Sequence, residues 1–407
     1  MARLERIIER LELKEFQLRA LLDVTKAINN TMPREELLKL YEKIVREDLG
    51  ITRLMLFERT DHWLRILAFG TTPADDGMDV EQAFSRFSDI QVIDSESAGS
   101  LGAFDVAVPV HHRDRPLAFL LIGDIDEEEQ RISPTVKHLN YIQTLTNLIV
   151  VAMENRRLAD QALQRERDKR ELELAREMQR MLVPAVLPNN EHIEAAAWYQ
   201  PHSQVGGDHY DLIPLSDGSF MACVADVSGK GIAAALLMSN FQANLQASVR
   251  HNTDLTTLVH ELNGRVQANA RGERFITLFI GHIDPVARRI TYVNCGHNDP
   301  LLLTANGTMP LHDGCIALGM MPQLPFLRVG TADLPPGATL LCYTDGLVEQ
   351  EDEHGRDFGT DILGTLLRDF SLAGPEPFNE ALIAAFNVHR GDQPYLDDIA
   401  VLTCRIK

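Results

Sequence analysis

Between Asn155 and Leu182 the chain reads NRRLADQALQRERDKRELELAREMQRML, with no glycine or proline and a high density of strong helix formers. The stretch predicts one long helix, which Pro184 and Pro188 then stop. It divides the 407 residues into two blocks, each long enough to bury a core of its own. An apolar content of 45% with 24% charged residues excludes a wholly disordered or fibrous chain. The formal net charge of -20 repels phosphate backbones and anionic lipid alike, so neither nucleic acid nor a membrane face is an expected partner, whereas metal cations are not discouraged. The N-terminus, MARLERIIERLELKEF, carries charges within its apolar positions and does not read as a signal peptide; no apolar run approaches the ~20 residues that span a bilayer. Cys223, Cys295, Cys315, Cys342 and Cys404 all fall in the second block, with no CxxC pair, which suits reduced core thiols and a cytoplasmic location rather than a zinc site or a disulfide framework.

In the first block, apolar residues recur at helical spacing through Leu4, Ile7, Ile8 and Leu11, and again through Leu37, Leu38, Tyr41 and Ile44 after the entry signal Thr31-Met32-Pro33. From Thr52 to Asp124 the pattern becomes β-like in RLMLFER, LRILAFG, AFDVAVPV and PLAFLLIGD, and a further helix is expected from Pro134 to about Met153. Helix, antiparallel strands and returning helix over residues 25–153 resemble a GAF domain, a ligand-sensing fold, which implies a small-molecule ligand. The absence of cysteine here excludes a thioether-linked bilin. His111 and His112, adjacent in a strand, point to opposite faces and are expected to be surface residues.

In the long helix, Leu158, Ala162, Leu172, Ala175 and Leu182 outline a heptad seam, interrupted by QRERDKRE between Gln164 and Glu171. A solvated spacer and a parallel dimeric coiled coil both fit this pattern. We take the second, a marginal seam that the upstream block can bias, with a homodimer as its consequence.

The second block alternates strands, EAAAWYQ, YDLIPL, SFMACVADV, FITLFIGHID, RITYVNC, PLLLT, TLLCYTD and IAVLTCRI, with helices near 231–249, 253–270, 359–370 and 378–389. Asp217-Gly218 and Asn306-Gly307 belong to hairpins, so the sheets are antiparallel and an α/β sandwich is expected. Acidic residues stand at strand ends beside residues that allow tight turns: Asp208 and Asp211 in GGDHYD, Asp226 in ADVSGKG, Asp345 in YTDG, Asp397 and Asp398 in LDD. One Asp-Gly alone is usually a turn residue. Several carboxylates at one end of a sandwich repel one another unless cations neutralise them. An all-oxygen donor set suits Mg²⁺ or Mn²⁺, and two such ions sharing a carboxylate can activate a water for in-line attack on a phosphoryl group. No GxSxG occurs, and SGKG lacks the spacing of a phosphate-binding loop; its small residues let the Val227 carbonyl approach a metal.

VGGDHYD, ADVSGKGIAAALLM, NCGHNDPLLL, YTDGLVE and DDIAVL, preceded by REMQRMLVP, resemble in order and spacing the SpoIIE-like branch of the PPM serine/threonine phosphatases, including regulators of the RsbU type. The resemblance implies two ions, Mg²⁺ or Mn²⁺, with Asp226 bridging them, the Val227 carbonyl completing one and Asp345 with Asp397 binding the other. Asp208 would act through metal-bound water. Asp397 is preferred to Asp398 because the family pair is Asp followed by Asn or Asp. Asn294, Gly296 and His297 would shape the cleft, His297 in a structural or a catalytic role. His209 replaces the aromatic residue usual at its place and is expected to be a surface substitution. The implied substrate is a phosphorylated STAS-domain protein, an anti-anti-sigma factor. The fold class expected is α+β: an N-terminal helix over 1–24, a GAF-like sensor over 25–153, a helical coiled-coil linker over 154–184 and a PPM α/β/β/α sandwich over 185–407. Rival readings are a non-catalytic scaffold of the same fold in partner switching and a class III nucleotide cyclase. The cyclase needs an Arg and an Asn on a later strand, and no such pair lies near the TDG strand.

Overall fold

The computed structural model describes residues 2–72, 78–87, 89–93, 101–112, 115–123, 134–250, 254–370 and 373–407. Asp124, the expected end of a strand, and residue 253, the expected start of a helix, lie outside them. The chain divides into two compact units, Met1–Glu166 and Arg167–Lys407.

In the first unit α1 (Ala2–Asn29) runs unbroken past residue 24, and α2 (Arg34–Lys43) begins after Pro33 and closes in a π turn at Ile44–Asp48. Strands β1 (Arg53–Arg59) and β2 (Trp63–Phe69), the short helix α3 (Val80–Ser85), and strands β3 (Gln91–Val92), β4 (Val106–His112) and β5 (Arg115–Gly123) follow. The sheet has the antiparallel order β2-β1-β5-β4-β3. Both faces are buried, which explains the unbroken apolar runs of β1 and β5. Leu54 and Leu56 belong to the core built with Val24, Tyr41, Ile142 and Leu145 of the helices, while Met55 and Phe57 cluster with Phe87, Leu101 and Phe104. His111 is exposed, as expected; the side chain of His112 lies outside the described residues.

Helix α4 is continuous from Pro134 to Arg180, so the two helices expected on either side of residue 154 are one. No described helix is long and apolar enough to cross a membrane.

The second unit holds β6 (Ile193–Gln200), β7 (His209–Pro214), β8 (Phe220–Val227), α5 (Ile232–Val249), α6 (Leu255–Ala270), β9 (Ile276–Asp284), β10 (Arg289–Cys295), β11 (Leu301–Thr304), β12 (Gly307–Pro310), β13 (Gly314–Cys315), β14 (Gly330–Asp333), β15 (Thr339–Tyr343), α7 (Asp345–Val348), α8 (Asp361–Phe370), α9 (Pro375–Arg390) and β16 (Ile399–Ile406). One sheet runs β13-β10-β9-β8-β7, with β14 beside β10; the other runs β12-β11-β15-β16-β6. Alternation along the strands sorts side chains into layers. From β8, Met221, Cys223 and Ala225 pack with α5 and α6, and Ala222 and Val224 face the second sheet. From β16, Ala400, Leu402 and Cys404 meet them between the sheets, and Ile399 and Val401 pack with α8 and α9. The result is a sandwich of helices, sheet, sheet and helices, in which each fully buried large apolar side chain contributes roughly 1.5–3 kcal/mol.

Candidate metal centre

The same alternation builds the site. On β7 and β8 the even-numbered residues Tyr210, Leu212, Ala222 and Val224 point between the sheets, so Asp226 continues that column and Asp208 stands in phase with it. On the facing sheet Cys342 and Ala400 are inward, which sets Thr344 and Asp398 in phase with them. Antiparallel pairing gathers the column at one edge, because β7 starts where β8 ends (His209 opposite Ala225) and β16 starts where β15 ends (Tyr343 opposite Val401). Asp208, Asp397 and Asp398 therefore stand just ahead of their strands, while Asp226 lies near the end of its own.

The carboxylates form an inner and an outer tier. Asp208 is 1% exposed, and its Oδ2 is buried without a hydrogen-bond partner. Burial, then the charges of Asp226 and Asp398, hold its pKa well above the usual carboxylate value, with the Thr344 hydroxyl offsetting part of the shift. Asp226 is raised by burial and next by Asp345, with Asp397 and Asp398 adding to it. Asp345, at the start of α7, is raised by burial, Glu349 and Asp397, while Lys230 acts against them. Asp397 lies further out and meets Lys230 Nζ at 2.8 Å through Oδ2.

Asp398 has a different task. Its Oδ1 accepts the His202 N–H at 2.7 Å and its Oδ2 accepts the Gly207 N–H at 2.5 Å, so the two oxygens tie the segment from His202 to Gly207 to the start of β16. Asp397 has partners of another kind: its Oδ1 accepts the Asp398 N–H at 2.8 Å, and its Oδ2 holds the half-exposed Lys230. Asp211, by contrast, does not join the cluster. Odd-numbered on β7, it faces α5 and accepts a hydrogen bond from Gln246 Nε2 at 2.9 Å.

The glycines serve close approach more than turning. A Cβ on Gly207 would sit 3.1 Å from the Val227 carbonyl oxygen, and one on Gly346 would overlap the Asp398 carbonyl oxygen. Glycine at these places lets the backbones carrying Asp208, Asp226, Asp345 and Asp397 converge.

His209 is not a surface residue. It is 0% exposed, both ring nitrogens lack partners, and burial lowers its pKa to about 4. Its odd position on β7 gives the physical reason, since it shares the face from which Asp211 reaches α5. His297 is also buried: its Nδ1 meets Thr277 Oγ1 at 2.8 Å, its backbone N–H donates to Asn294 Oδ1 at 2.8 Å, and burial lowers its pKa to about 4. Thr277 lies opposite Asp226 across β8 and β9. His297 thus braces the strand behind Asp226.

Thr344, Lys230 and Gln179 stand inside the motifs YTDG, SGKG and REMQRMLVP, yet only the fold shows what they touch. Thr344 sits beside Asp208 and Lys230 beside Asp397. Gln179 is clamped on the segment that leads to Asp208: its Nε2 donates to the Gly206 carbonyl at 2.5 Å and its Oε1 accepts the Gly206 N–H at 3.0 Å.

The donor set fits hard divalent ions. It is all oxygen, it includes a buried carboxylate oxygen with no partner, and its members raise one another's pKa. Among the described residues no three His, Cys, Asp or Glu side chains meet as a ready-made chelate. Mg²⁺-like ions ask for less, since they keep several waters and take only one or two carboxylates each.

Residues 216–407 match the family model described as Stage II sporulation protein E, SpoIIE. The C-terminal part of the chain is thus similar to SpoIIE over those residues. The phosphoserine phosphatase RsbP of Bacillus subtilis (strain 168) is 28% identical over 186 residues, covering 44% of this chain and 46% of that protein. The phosphoserine phosphatase RsbU of the same organism is 26% identical over 189 residues, covering 46% of this chain and 56% of that protein. The chain thus spans about half the length of these curated relatives. The SiaA-PP2C domain of Pseudomonas aeruginosa superposes with a TM-score of 0.54 at 22% identity, over 60% of this chain and 100% of that one, which shows that the matched part of the chain has the PP2C-like fold. The family match begins after Asp208, so the placing of Asp208 in the site rests on the geometry above.

Proposed function

We propose that the chain is a cytoplasmic, divalent-metal-dependent protein serine/threonine phosphatase that removes phosphate from a phosphoserine or phosphothreonine of a small STAS-domain anti-anti-sigma protein. The observation that carries this is the meeting of Asp208, Asp226, Asp345 and Asp397, from both sheets, in one mutually repelling cluster. The names of RsbP and RsbU support the reaction class.

Asp226 would bridge two ions, Mg²⁺ or Mn²⁺, with the Val227 carbonyl on one, Asp345 and Asp397 on the other, and Asp208 acting through water. When bound, the ions would supply Lewis acidity for in-line attack of water on the phosphoryl group. The protein's own part is placement. Asp398 holds the backbone amides of His202 and Gly207 on the way to Asp208, Thr344 sits beside Asp208, and His297 braces β9, which pairs with the strand of Asp226. No side-chain nucleophile is required.

Regulation is assigned to the first unit, read as a GAF-like sensor over 25–153, acting through α4 as a dimeric coiled-coil linker over 154–184. A cleft of about 640 Å³ lined by Ile28, Met32, Arg34, Glu58, Met153 and Arg157 offers room for a small-molecule ligand. Of the expected seam, Leu158 and Ala162 are exposed on α4 and support pairing with a second copy, whereas Leu172 and Ala175 are half-buried and Leu182 packs against the core under α5 and α6. The Gln179 clamp supports the last link, since a shift of α4 would move Gly206 and with it Asp208.

Hydrolysis of p-nitrophenyl phosphate with Mn²⁺ tests the reaction. We expect turnover by the whole chain and its loss in Asp226→Ala; a folded chain with no turnover would favour the non-catalytic scaffold.

A further inference from the structure

Lys230 sits on a turn that is built to aim it. Gly229 and Gly231 on either side have φ of +87° and +77°, a left-handed conformation that glycine adopts without strain. Ser228 anchors the turn: its N–H donates to the Phe275 carbonyl at 3.0 Å, its Oγ accepts the Phe275 N–H at 2.9 Å, and its carbonyl accepts Arg274 Nη1 at 2.6 Å. A Cβ on Gly229 would overlap Arg274 Nη1, so the turn and this arginine are closely fitted. The ammonium so presented meets Asp397 Oδ2 at 2.8 Å and the Leu396 carbonyl at 2.5 Å, and it also lowers the pKa of Asp345. It therefore lies where Asp345 and Asp397 would hold an ion. The two side chains are 47% and 38% exposed, and an ion pair that open to water contributes little to stability.

We propose that Lys230 is a phosphate-positioning residue held in reserve: it neutralises Asp397 in the ion-free chain, and an ion arriving at Asp397 displaces it onto the substrate's phosphoryl oxygens. The inference rests on the reading that Asp345 and Asp397 bind an ion. An ammonium and a divalent cation compete for Asp397 Oδ2, because like charges repel at close range. Released, the ammonium remains on its turn at the mouth of the cluster, where a phosphoryl group approaching the ions brings a concentrated negative charge. A lysine suits this exchange, being a point charge on a flexible stem.

Calorimetric titration of the full chain with Mn²⁺, followed by titration of the Mn²⁺-loaded protein with inorganic phosphate, tests the proposal on wild type, Lys230→Met, Lys230→Arg and Asp397→Ala. Lys230→Met is expected to bind Mn²⁺ several-fold more tightly, since a competitor has gone, and to bind phosphate at least about ten-fold more weakly. Lys230→Arg is expected to retain most of the phosphate affinity. Mn²⁺ binding that depends on Asp397 but is unchanged or weakened in Lys230→Met, or phosphate affinity unchanged in that variant, overturns the proposal and leaves the metal site standing. Mn²⁺ binding indifferent to Asp397 removes the underlying site and the proposal with it.

Discussion

The carboxamide of Gln179 grips both polar groups of Gly206, donating to its carbonyl and accepting from its N–H, and so fixes the peptide two residues ahead of Asp208 to the end of α4. Gln179 is 8% exposed, so water does not replace these bonds when they are lost. We expect Gln179→Ala to lower the unfolding free energy of the domain by about 1–3 kcal/mol and to reduce turnover with Mn²⁺, read by urea denaturation and phosphate release. Full activity in that variant would detach α4 from the site.

Two adjacent aspartates should part company under mutation. Asp398→Ala leaves the His202 and Gly207 amides without their acceptor, at a cost of about 2–4 kcal/mol. Asp397→Ala removes a half-exposed ion pair with Lys230 and the acceptor of the Asp398 N–H, changing stability by about 1 kcal/mol, yet it weakens Mn²⁺ binding. Denaturant curves and calorimetry on the pair separate the roles.

The ion-free protein should lose stability as pH rises. Burial and neighbouring charge push Asp226 up to about 7, from a usual value of 3.8, and hold Asp208 well above the same value. Between the two values the folded state binds the extra proton. The contribution is therefore complete below the unfolded pKa and is lost as pH climbs through the folded one. Melting in EDTA is expected to weaken from roughly pH 4 towards pH 7, while the stabilisation brought by Mn²⁺ grows over the same window. A melting temperature in EDTA that rises across it would be the opposite of what raised carboxylate pKa values require.

Gly346 gives a steric test. An added Cβ would run into the Asp398 carbonyl oxygen and lie 3.0 Å from its carbonyl carbon, both of them backbone. Gly346→Ala is expected to cost about 1–3 kcal/mol by overpacking and to abolish turnover by pushing Asp345 away from Asp397.

Much of the fold is legible in the sequence. IAVLTCRI matches β16 at both ends, because a strand buried on both faces leaves an unbroken apolar run. Strands β12, β13 and β14 leave no such mark, being only two to four residues long and only partly apolar. The acidic motifs stand out, but local pattern does not say which acid does what. Asp397 and Asp398 are neighbours with different partners, Lys230 for the first and the His202 and Gly207 N–H groups for the second, and only the fold separates them. His209 reads as a surface residue when its polarity is weighed above its phase; its odd position beside Asp211 on β7 is the signal that both lie under α5. Gln179 and Lys230 act through contacts distant in sequence, with Gly206 and Asp397, which no local pattern encodes.

If the aspartates of both sheets hold a pair of hard ions, anomalous scattering from a crystal of the chain soaked in Mn²⁺ reveals it most directly. We expect two peaks roughly 3.5–4 Å apart, with Asp226 touching both and Asp345 and Asp397 on one of them. Peaks elsewhere, or none while the fold is intact, would contradict it.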